Sequence, residues 1–424
     1  MTPAARLAAA IDLLAAIEAA PQRPADAVAN DFFRNRRYIG SGDRRAVSAR
    51  AWSVIRTWRR LDWWLHGAGT PRLRVGASLL LEGWTFDGVQ QAFSGGRYAP
   101  ASLCADEAER LRVLEGRTLE HPDMPLAARL EMPDWLLPQL AERFRDRLEP
   151  EARALLAEAP LDLRVNTLKT TREAAQAALA AEGITAEPTP LSPWGLRVSG
   201  RLPVTTGPAF RDGLVEIQDE GSQIVALMAD ARPGMRVADW CAGAGGKTLA
   251  LAACMQNRGH IVACDVNVRR LDAAVRRLRR AGVHNVERHL TEAGDRWVKR
   301  RAGSFDRVLV DAPCTGTGTW RRNPDARLRL TEADLRELTA KQASILDAAA
   351  PLCRPGGRLV YATCSLLPAE NETQVNAFLT RRPDFRRLPA TAVWAGAPPG
   401  DDLHLTPARN GTDGFYCAVL ERVA

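Results

Sequence analysis

The chain has 424 residues, of which 46% are apolar, and a formal net charge of +8. This length predicts two or three domains, and the apolar runs fall far short of the roughly 18 residues that a membrane span requires, which excludes an integral membrane protein. The positive charge favours a polyanionic partner. The eight cysteines form no Cys-x-x-Cys pair, which excludes a zinc site and a disulfide framework, so we expect no metal and a reducing, cytoplasmic compartment.

Residues 1–125 are predicted to form an all-helical domain. Leu7, Ile11 and Leu14 recur at helical spacing, and apolar and basic positions alternate with the same period across residues 45–58. Arginines crowd the second stretch and leave two interpretations open, a solvated helix face or a patch that faces RNA. These arginines are Arg44, Arg45, Arg50, Arg56, Arg59 and Arg60.

Residues 126–210 are predicted to form a small α+β module. Residues 161–166 alternate apolar and polar side chains as a strand does. Residues 171–182 have helical character, with Thr170 or Thr171 as the cap. A proline-rich stretch at 188–208 separates this module from the last domain.

Residues 211–424 alternate between strand and helix patterns, which is typical of a parallel sheet covered by helices on both faces. A final strand at 414–420 is expected to run antiparallel at the far end of that sheet. The predicted strands are Arg236–Trp240, Ile261–Asp265, Val286–Leu290, Arg307–Asp311 and Arg358–Thr363. The predicted helices are Lys247–Gln256, Val268–Ala281, Ala333–Leu352 and Ala369–Thr380.

A glycine-rich turn, residues 241–248, follows the first of these strands and reads Cys-Ala-Gly-Ala-Gly-Gly-Lys-Thr. A Walker A loop would need glycine at position 241 and a dinucleotide fingerprint would need it at 248, so ATP hydrolysis and NAD binding are both disfavoured. The turn instead predicts a close approach of the backbone to a small ligand at a helix N-terminus. Asp265, at the end of the next strand, fits either a helix cap or a ligand of ribose hydroxyls.

Cys314 and Cys364 follow two predicted strands, 307–311 and 358–363, which we expect to be neighbours. The carboxyl ends of the strands in an open α/β sheet line the crevice where ligands bind. Two interpretations are open for these residues. They are either small buried thiols, or they include a thiolate that attacks a substrate beside a nucleotide-like cofactor.

The motifs together resemble those of the S-adenosylmethionine-dependent RNA cytosine-5 methyltransferases of the Sun/Fmu family. The segments that carry the resemblance are 163–169, 241–248, Asp265, 311–314, 363–365 and 410–415. The chain departs from the family at Ala244, where proline is usual. Residues 1–125 resemble the NusB-like RNA-binding domain of the bacterial branch that methylates small-subunit ribosomal RNA. The implied fold is a Rossmann-like class I methyltransferase sheet over 211–424, preceded by the small α+β module and the all-helical N-terminal domain.

The resemblance also implies roles for individual residues. Cys364 is the nucleophile that adds to C6 of cytosine, Cys314 assists release of the methylated base, and Asp311 is the hydrogen-bonding acid. The implied cofactor-binding residues are Cys241, Ala242, Gly243, Ala244, Gly245, Gly246, Lys247, Asp265, Arg270, Asp295 and Asp311, with Glu292 as the alternative to Asp295. The implied substrate-binding residues are Asn166, Lys169, Arg321 and Arg322. Lys169 is also a candidate for the cation that helps Cys364 to ionise.

The resemblance therefore implies transfer of a methyl group from S-adenosylmethionine to carbon-5 of a cytosine in 16S ribosomal RNA, by a monomer in the cytoplasm. Two alternatives remain, a transfer RNA methyltransferase with the same chemistry and a ribosome-assembly factor that binds RNA without catalysis. The presence of Cys314, Cys364, Asp311 and Asp265 disfavours the non-catalytic alternative.

Overall fold

The computed structural model describes residues 1–200, 202–292 and 296–423. The contacts within it divide the chain into two compact units. The first unit comprises Met1–Leu156 with Trp320–Leu330, and the second comprises Ala157–Thr319 with Thr331–Ala424. Among the described residues, every helix is too short or too polar to cross a membrane.

Residues 1–125 of the first unit are all helical, as predicted. Residues 126–156, which the sequence assigns to the α+β module, are helical as well and belong to this unit. A threonine hydroxyl accepts a backbone N–H bond at the start of the first, fifth and sixth helices (Thr2, Thr70 and Thr85) and so satisfies an amide that the helix leaves free. Apolar faces form one core, in which Leu13 and Val54 are fully buried. The helices are α1 (Pro3–Glu18), α2 (Ala25–Arg34), α3 (Ser41–Arg56), α4 (Trp58–Trp64), α5 (Pro71–Leu81), α6 (Phe86–Ala92), α7 (Ala105–Arg112), α8 (Leu126–Arg129), α9 (Leu137–Phe144) and α10 (Leu148–Leu156).

The second unit begins with a small antiparallel sheet in the order β2-β3-β1-β4. The predicted strand at 161–166 and the predicted helix at 171–182 are both present, and Thr171 caps the helix by accepting a bond from the Ala174 amide. The prediction missed the strands at 186–188, 195–198 and 215–217, because each has only three or four residues. The strand at 195–198 lies inside the proline-rich stretch and pairs with β1, so that stretch belongs to the module and the prediction that it separates two domains is wrong. The elements are β1 (Leu161–Val165), α11 (Arg172–Ala181), β2 (Ala186–Pro188), β3 (Gly195–Val198), α12 (Pro208–Arg211) and β4 (Val215–Ile217).

A large mixed sheet forms the rest of the second unit, in the order β10-β12-β9-β8-β5-β6-β7, with β11 paired to β12. Its strands are β5 (Arg236–Asp239), β6 (His260–Asp265), β7 (Val286–Leu290), β8 (Phe305–Asp311), β9 (Cys353–Thr363), β10 (Phe385–Leu388), β11 (Leu403–Leu405) and β12 (Phe415–Arg422). The helices from residue 220 onward are α13 (Glu220–Met228), α14 (Gly246–Cys254), α15 (Val268–Ala281), α16 (Arg296–Arg300), α17 (Ala326–Arg329), α18 (Glu332–Ala349), α19 (Glu372–Arg381), α20 (Ala390–Val393) and α21 (Pro407–Asn410).

The predicted parallel sheet is confirmed from β7 through β9, and the bounds of β7 and α15 agree with the prediction. The last strand, β12, is antiparallel to β9 as predicted. The prediction that it lies at the far end of the sheet is wrong, because β10 pairs with its other edge. The prediction missed β10 because it is a short strand with charged residues in its middle.

The sheet order reverses at β5, which has β6 on one side and β8 on the other. The loops that follow β5 and β8 therefore leave in different directions and open a crevice at the carboxyl ends of the strands. This edge collects the glycine-rich turn, Asp265, and the loops that carry Cys314 and Cys364.

One segment of the chain leaves the second unit soon after Cys314. Residues 320–330, which include α17, belong to the first unit. There the Arg327 guanidinium donates to the carbonyls of Ile55 and Arg56, and the Asp325 carboxylate accepts a bond from the Ala25 amide.

Candidate active site

The glycine-rich turn has the conformation that its sequence predicts. Gly243 (φ +56°) and Gly245 (φ +80°) both occupy the left-handed region, which glycine enters without strain. The turn delivers the chain to the N-terminus of α14. Asp265, at the end of β6, accepts bonds from the amides of Gly243 (2.9 Å) and Asn267 (2.8 Å). The carboxylate is thereby fixed beside the turn.

Two guanidinium groups hold the carbonyls of this turn. Arg277 donates to the Ala244 carbonyl (2.8 Å) and Arg164 donates to the Gly246 carbonyl (2.8 Å). Burial lowers the pKa of Arg164 to about 10, so this group stays charged at neutral pH. Sequence reasoning missed both residues, although Arg164 lies inside segment 163–169, which carries part of the family resemblance. Arg277 restrains the turn at Ala244, the position where the family usually has proline.

Lys247 and Asp311 form a mostly buried ion pair at the mouth of the crevice, with 2.7 Å between Nζ and Oδ2. Burial acts to lower the pKa of Lys247, but the negative charge of Asp311 and the hydrogen bond to it outweigh this effect and raise the pKa. The charge of a Cys364 thiolate acts in the same direction. Lys247 therefore interacts electrostatically with the site of Cys364. The ammonium of Lys169, the candidate from the sequence, donates to the carbonyls of Asp212 and Arg280.

Cys314 and Cys364 meet at the ends of β8 and β9, with their Sγ atoms 3.4 Å apart. The parallel register, which pairs Asp311 with Ala362, brings the two following loops side by side. The hydrogen bond with Cys364, and then burial, raise the pKa of Cys314 well above its ordinary value. The raised pKa favours the protonated form of Cys314, whose S–H group can serve as the donor in this contact.

A buried carboxylate, Glu370, joins the two cysteine loops. It accepts bonds from the amide (2.8 Å) and hydroxyl (2.5 Å) of Thr315, next to Cys314, and from the Gln342 side chain (2.9 Å). Its backbone carbonyl accepts a bond from the hydroxyl of Tyr361 in β9. Glu370 and Gln342 are fully buried, and sequence reasoning missed both. The position of Glu370 in the segment after Cys364 was the available signal.

Segment 410–415, which carries part of the family resemblance, also contacts the loops after Cys314 and Cys364. Gly318 donates to the Cys364 carbonyl (2.9 Å) and accepts a bond from the Gly414 amide (2.8 Å). A Cβ atom on Gly318 would lie 2.2 Å from the Gly414 oxygen, so both glycines are needed for this approach. Phe415 follows, and the Lys247 ammonium lies 5.5 Å from the centre of its ring.

Of the other cofactor-binding residues that the resemblance implies, Cys241 and Ala242 lie in the turn itself. Arg270 lies in the first turn of α15 and is exposed, as is Glu292 beyond β7. Burial raises the pKa of Cys241 well above its ordinary value, so this thiol stays neutral. Ala242 donates its amide to the Cys264 carbonyl. Asp295 lies outside the described residues.

Two of the four residues predicted to bind substrate, Asn166 and Lys169, donate to main-chain carbonyls of the fold. Asn166 is buried, and its amide group donates to the carbonyls of Gly213 and Ala281. Together with the Lys169 bonds, this fastens the small sheet to the C-terminal end of α15. Arg321 is only 5% exposed within the first unit, while Arg322 is partly exposed. The structure thus gives no support to RNA contacts by Asn166, Lys169 or Arg321.

The arginine patch predicted on the first unit is also largely engaged within the unit. Arg50 pairs with Glu82, Arg59 with Asp134 and Arg60 with Glu131. Arg56 donates to the carbonyls of Leu156 and Arg321. These four side chains hold helices together, and Arg45 is the member of the patch that stays exposed without a partner among the described residues.

Comparison with known proteins decides the family. The sequence model of the 16S rRNA methyltransferase RsmB/F family matches residues 226–421, and that of the ferredoxin-like domain of RsmF/B-like methyltransferases matches residues 132–205. The probable ribosomal RNA small subunit methyltransferase B of Synechocystis sp. is 36% identical over 317 residues, which are 72% of this chain and 70% of the relative. The chain belongs to the RsmB/F family. This confirms the family that the motifs predict and the use of S-adenosylmethionine as methyl donor.

Solved structures agree with the fold of this RsmB/F family member. The crystal structure of PH0851 covers 100% of this chain and 99% of its own, with a TM-score of 0.80 and 27% identity. A methyltransferase homologue from Pyrococcus horikoshii covers 70% of this chain and 97% of its own, with a TM-score of 0.62 and 29% identity. The Rossmann-like methyltransferase sheet predicted from the sequence is thereby confirmed.

Proposed function

We propose that this RsmB/F family member methylates carbon-5 of a cytosine in 16S ribosomal RNA through a covalent adduct between Cys364 and C6 of the base. The observation that carries the proposal is the contact between the two thiols, 3.4 Å apart beside the Lys247–Asp311 ion pair. Carbon-5 of cytosine is a poor nucleophile, so direct methylation is slow. A thiolate that adds to C6 turns the ring into an enamine and makes C5 reactive.

The residues of the crevice fit the methyl donor. The Asp265 carboxylate at the end of β6 suits the two ribose hydroxyls, and the open turn at Gly243 has no atom within 4 Å of where a Cβ would stand. Asp239, fully buried at the end of β5, has an Oδ1 atom without a hydrogen-bond partner among the described residues, which leaves an acceptor for a cationic ligand group. When bound, S-adenosylmethionine supplies an electrophilic methyl group to C5.

The two cysteines have different roles in this mechanism, because their environments differ. Cys314 keeps its proton, and its S–H group stabilises the thiolate of Cys364 by donating to it. The ammonium of Lys247 adds a favourable charge. Cys364 then adds to C6, a base removes the C5 proton after methyl transfer, and the bond between Sγ and C6 breaks. Cys314 assists this last step, because its S–H group stabilises the sulfur that leaves.

The target must be an unpaired or everted cytosine, because C6 is stacked between neighbouring bases inside a helix. Membership in a family described by 16S rRNA favours ribosomal RNA over transfer RNA. The paired thiols and the buried network around Glu370 favour an enzyme over a non-catalytic assembly factor, because a binding protein has no need of them. A cytoplasmic site of action follows from this substrate.

The test uses the full-length protein, S-adenosylmethionine with a labelled methyl group, and unmodified 16S rRNA transcribed in vitro. Wild type is expected to form 5-methylcytosine, detected by mass spectrometry of the nucleosides, and Cys364→Ala is expected to form none while it still binds the cofactor in equilibrium dialysis. Cys104→Ala, an exposed cysteine of the first unit, serves as the matched control and should retain full activity. Near-normal turnover by Cys364→Ala, or a methyl group on another atom, would contradict the proposal.

A further inference from the structure

Two tyrosines of the first unit expose most of their rings to solvent. Tyr38 is 74% exposed and Tyr98 is 65% exposed. Both line one cavity of about 910 Å³, whose walls come from α1 and from the loops after α2 and α6. Large rings in this position are typical of a binding surface, since tyrosine combines an apolar face with a polar edge.

The exposure of Tyr38 is set by a folded turn. The next residue, Ile39, is fully buried and anchors the turn in the core. The Ile39 amide donates to the Arg36 carbonyl (3.0 Å), and the Arg44 guanidinium donates to the Ile39 carbonyl (2.8 Å). These bonds fix the backbone of the turn that places Tyr38 in solvent.

The loop that carries Tyr98 is closed in the same manner. The Gly95 amide donates to the Pro100 carbonyl (2.9 Å), which closes the loop at its base. Arg97 places its guanidinium 5.2 Å from the centre of the Tyr98 ring. The Arg72 side chain donates to the Ala101 carbonyl (2.6 Å) and fixes the far end of the loop.

Positive charge surrounds these rings. A second cavity, of about 720 Å³, begins at the residue before Tyr38 and is lined by Asn30, Phe33, Arg34, Arg37 and Arg44. Arg37 is exposed and has no partner among the described residues, while Arg34 pairs with the exposed carboxylate of Asp31 at 3.1 Å. The first cavity is lined by Arg97 and Asp12, and by Arg72, whose charge is paired with Glu107 at 2.8 Å.

We propose that this surface, composed of Tyr38, Tyr98, Arg34, Arg37 and Arg97 and called here the tyrosine surface, binds an unpaired segment of RNA. Bases stack on exposed rings without regard to sequence, and guanidinium groups bind the phosphates between them. The inference rests on the proposed function, which supplies RNA as the substrate. It adds a second contact, on the unit that does not carry the two thiols.

The test measures the fluorescence anisotropy of a labelled single-stranded oligouridylate, and of the same strand paired with oligoadenylate, as full-length protein is added. Each substitution Tyr38→Ala and Tyr98→Ala is expected to weaken single-strand binding by about fivefold or more, and duplex binding much less. Tyr38→Phe should bind normally, because the ring remains. Trp84→Ala, a 40% exposed aromatic outside both cavities, should leave affinity unchanged.

A second experiment tests the charges with the double variant Arg37→Glu and Arg97→Glu. This variant should bind both RNAs more weakly, and its affinity should depend less steeply on salt concentration. Arg117→Glu, an exposed arginine of the same unit outside both cavities, is the matched control. Unchanged single-strand affinity in the double tyrosine variant, with a normal circular dichroism spectrum, would overturn the inference. The inference would also be overturned if the double tyrosine variant lost affinity for duplex RNA as much as for the single strand. It would be overturned as well if that variant kept its RNA affinity but no longer bound ribosomal proteins.

Methyl transfer separates this inference from the proposed function. The double tyrosine variant should raise the KM for 16S rRNA while the kcat at saturating RNA stays close to that of wild type. If wild-type protein transfers no methyl group, the proposed function fails, while the anisotropy result still decides the tyrosine surface.

Discussion

The Sγ atoms of Cys314 and Cys364 lie 3.4 Å apart at the ends of two adjacent parallel strands. The pKa of Cys314 is raised by its bond to Cys364 and by burial, which favours Cys314 as the donor of the proposed mechanism. Removal of that donor leaves the sulfur of Cys364 without its partner when the bond to C6 has to break. Cys314→Ala is therefore expected to accumulate a covalent complex with RNA, visible as a retarded band on a denaturing gel.

The band should need both the methyl donor and Cys364, because it reports an adduct that forms and fails to resolve. Cys314→Ala combined with Cys364→Ala is the control and should show free RNA alone. If Cys314→Ala gives no retarded band at protein and RNA concentrations where wild type turns over, the role of Cys314 in release is contradicted.

Glu370→Gln is expected to disturb both cysteine loops. Oε1 of Glu370 accepts from the Thr315 amide and the Gln342 side chain, and Oε2 accepts from the Thr315 hydroxyl. A glutamine keeps one acceptor oxygen and turns an N–H group towards that hydroxyl, which loses its bond to a carboxylate. A hydrogen bond to a charged group contributes about 1.5–3 kcal/mol, so the free energy of unfolding in urea should fall by up to that amount. The rate of methyl transfer should fall with it. Glu337→Gln, on the exposed face of α18, should change neither, and equal stability of the two variants would argue against the network.

Gly318→Ala is expected to destabilise the second unit. The added Cβ would lie 2.2 Å from the Gly414 carbonyl oxygen, and this backbone is pinned by β12. Overpacking of this kind costs about 1–3 kcal/mol, which urea denaturation would resolve. The Cys364 carbonyl should lose its bond to the Gly318 amide, so activity should fall as well.

Gly42→Ala is the matched control for this substitution. No atom lies within 4 Å of the added Cβ, and the residue sits in α3, where alanine favours the helix. Its stability should equal or exceed that of wild type. A loss as large as that of Gly318→Ala would mean that the close approach to Gly414 does not set the cost.

The sequence predicts the thiol pair and the glycine-rich turn because each follows a strand. A parallel strand fixes where the next residue emerges, so Cys314 and Cys364 could be placed at one edge from pattern alone. Glu370, Arg164 and Arg277 carry no such signal. Their bonds reach groups 55, 82 and 33 positions away. No periodicity in the sequence connects such pairs, and only the packed fold reveals them.

The segment after Cys314 shows the limit of reasoning from proximity in the chain. Arg321 stands seven positions beyond Cys314, which suggested a contact with the same substrate, yet it is buried in the first unit. Arg327 belongs to the same segment and is buried there too. Conversely, the sequence does not identify Tyr38 as a binding residue. It is a single tyrosine between arginines and an isoleucine, and such a segment has no pattern that distinguishes an exposed ring from a buried one.

Asp239 should make the stability of the cofactor-free protein fall as pH rises through the acid range. Burial raises its pKa to about 7, against which the bond from the Thr248 hydroxyl (2.6 Å) has only a partial effect. In the unfolded chain an aspartate titrates near pH 3.9. Between about pH 4 and pH 7 the folded protein therefore holds a proton that the unfolded chain has released, and the free energy of unfolding decreases with pH across this window.

Asp239→Asn removes this titration and keeps an oxygen that can accept the Thr248 bond. The free energy of unfolding of the variant, minus that of wild type, should rise from about pH 4 to pH 7, by no more than about 1.4 kcal/mol per pH unit, and then level off. Urea denaturation at a series of pH values measures the difference. Thr248→Val should extend the window upward, because loss of its hydrogen bond removes the effect that lowers the pKa of Asp239. Parallel pH profiles for wild type and Asp239→Asn would show that this carboxyl group titrates normally in the folded protein.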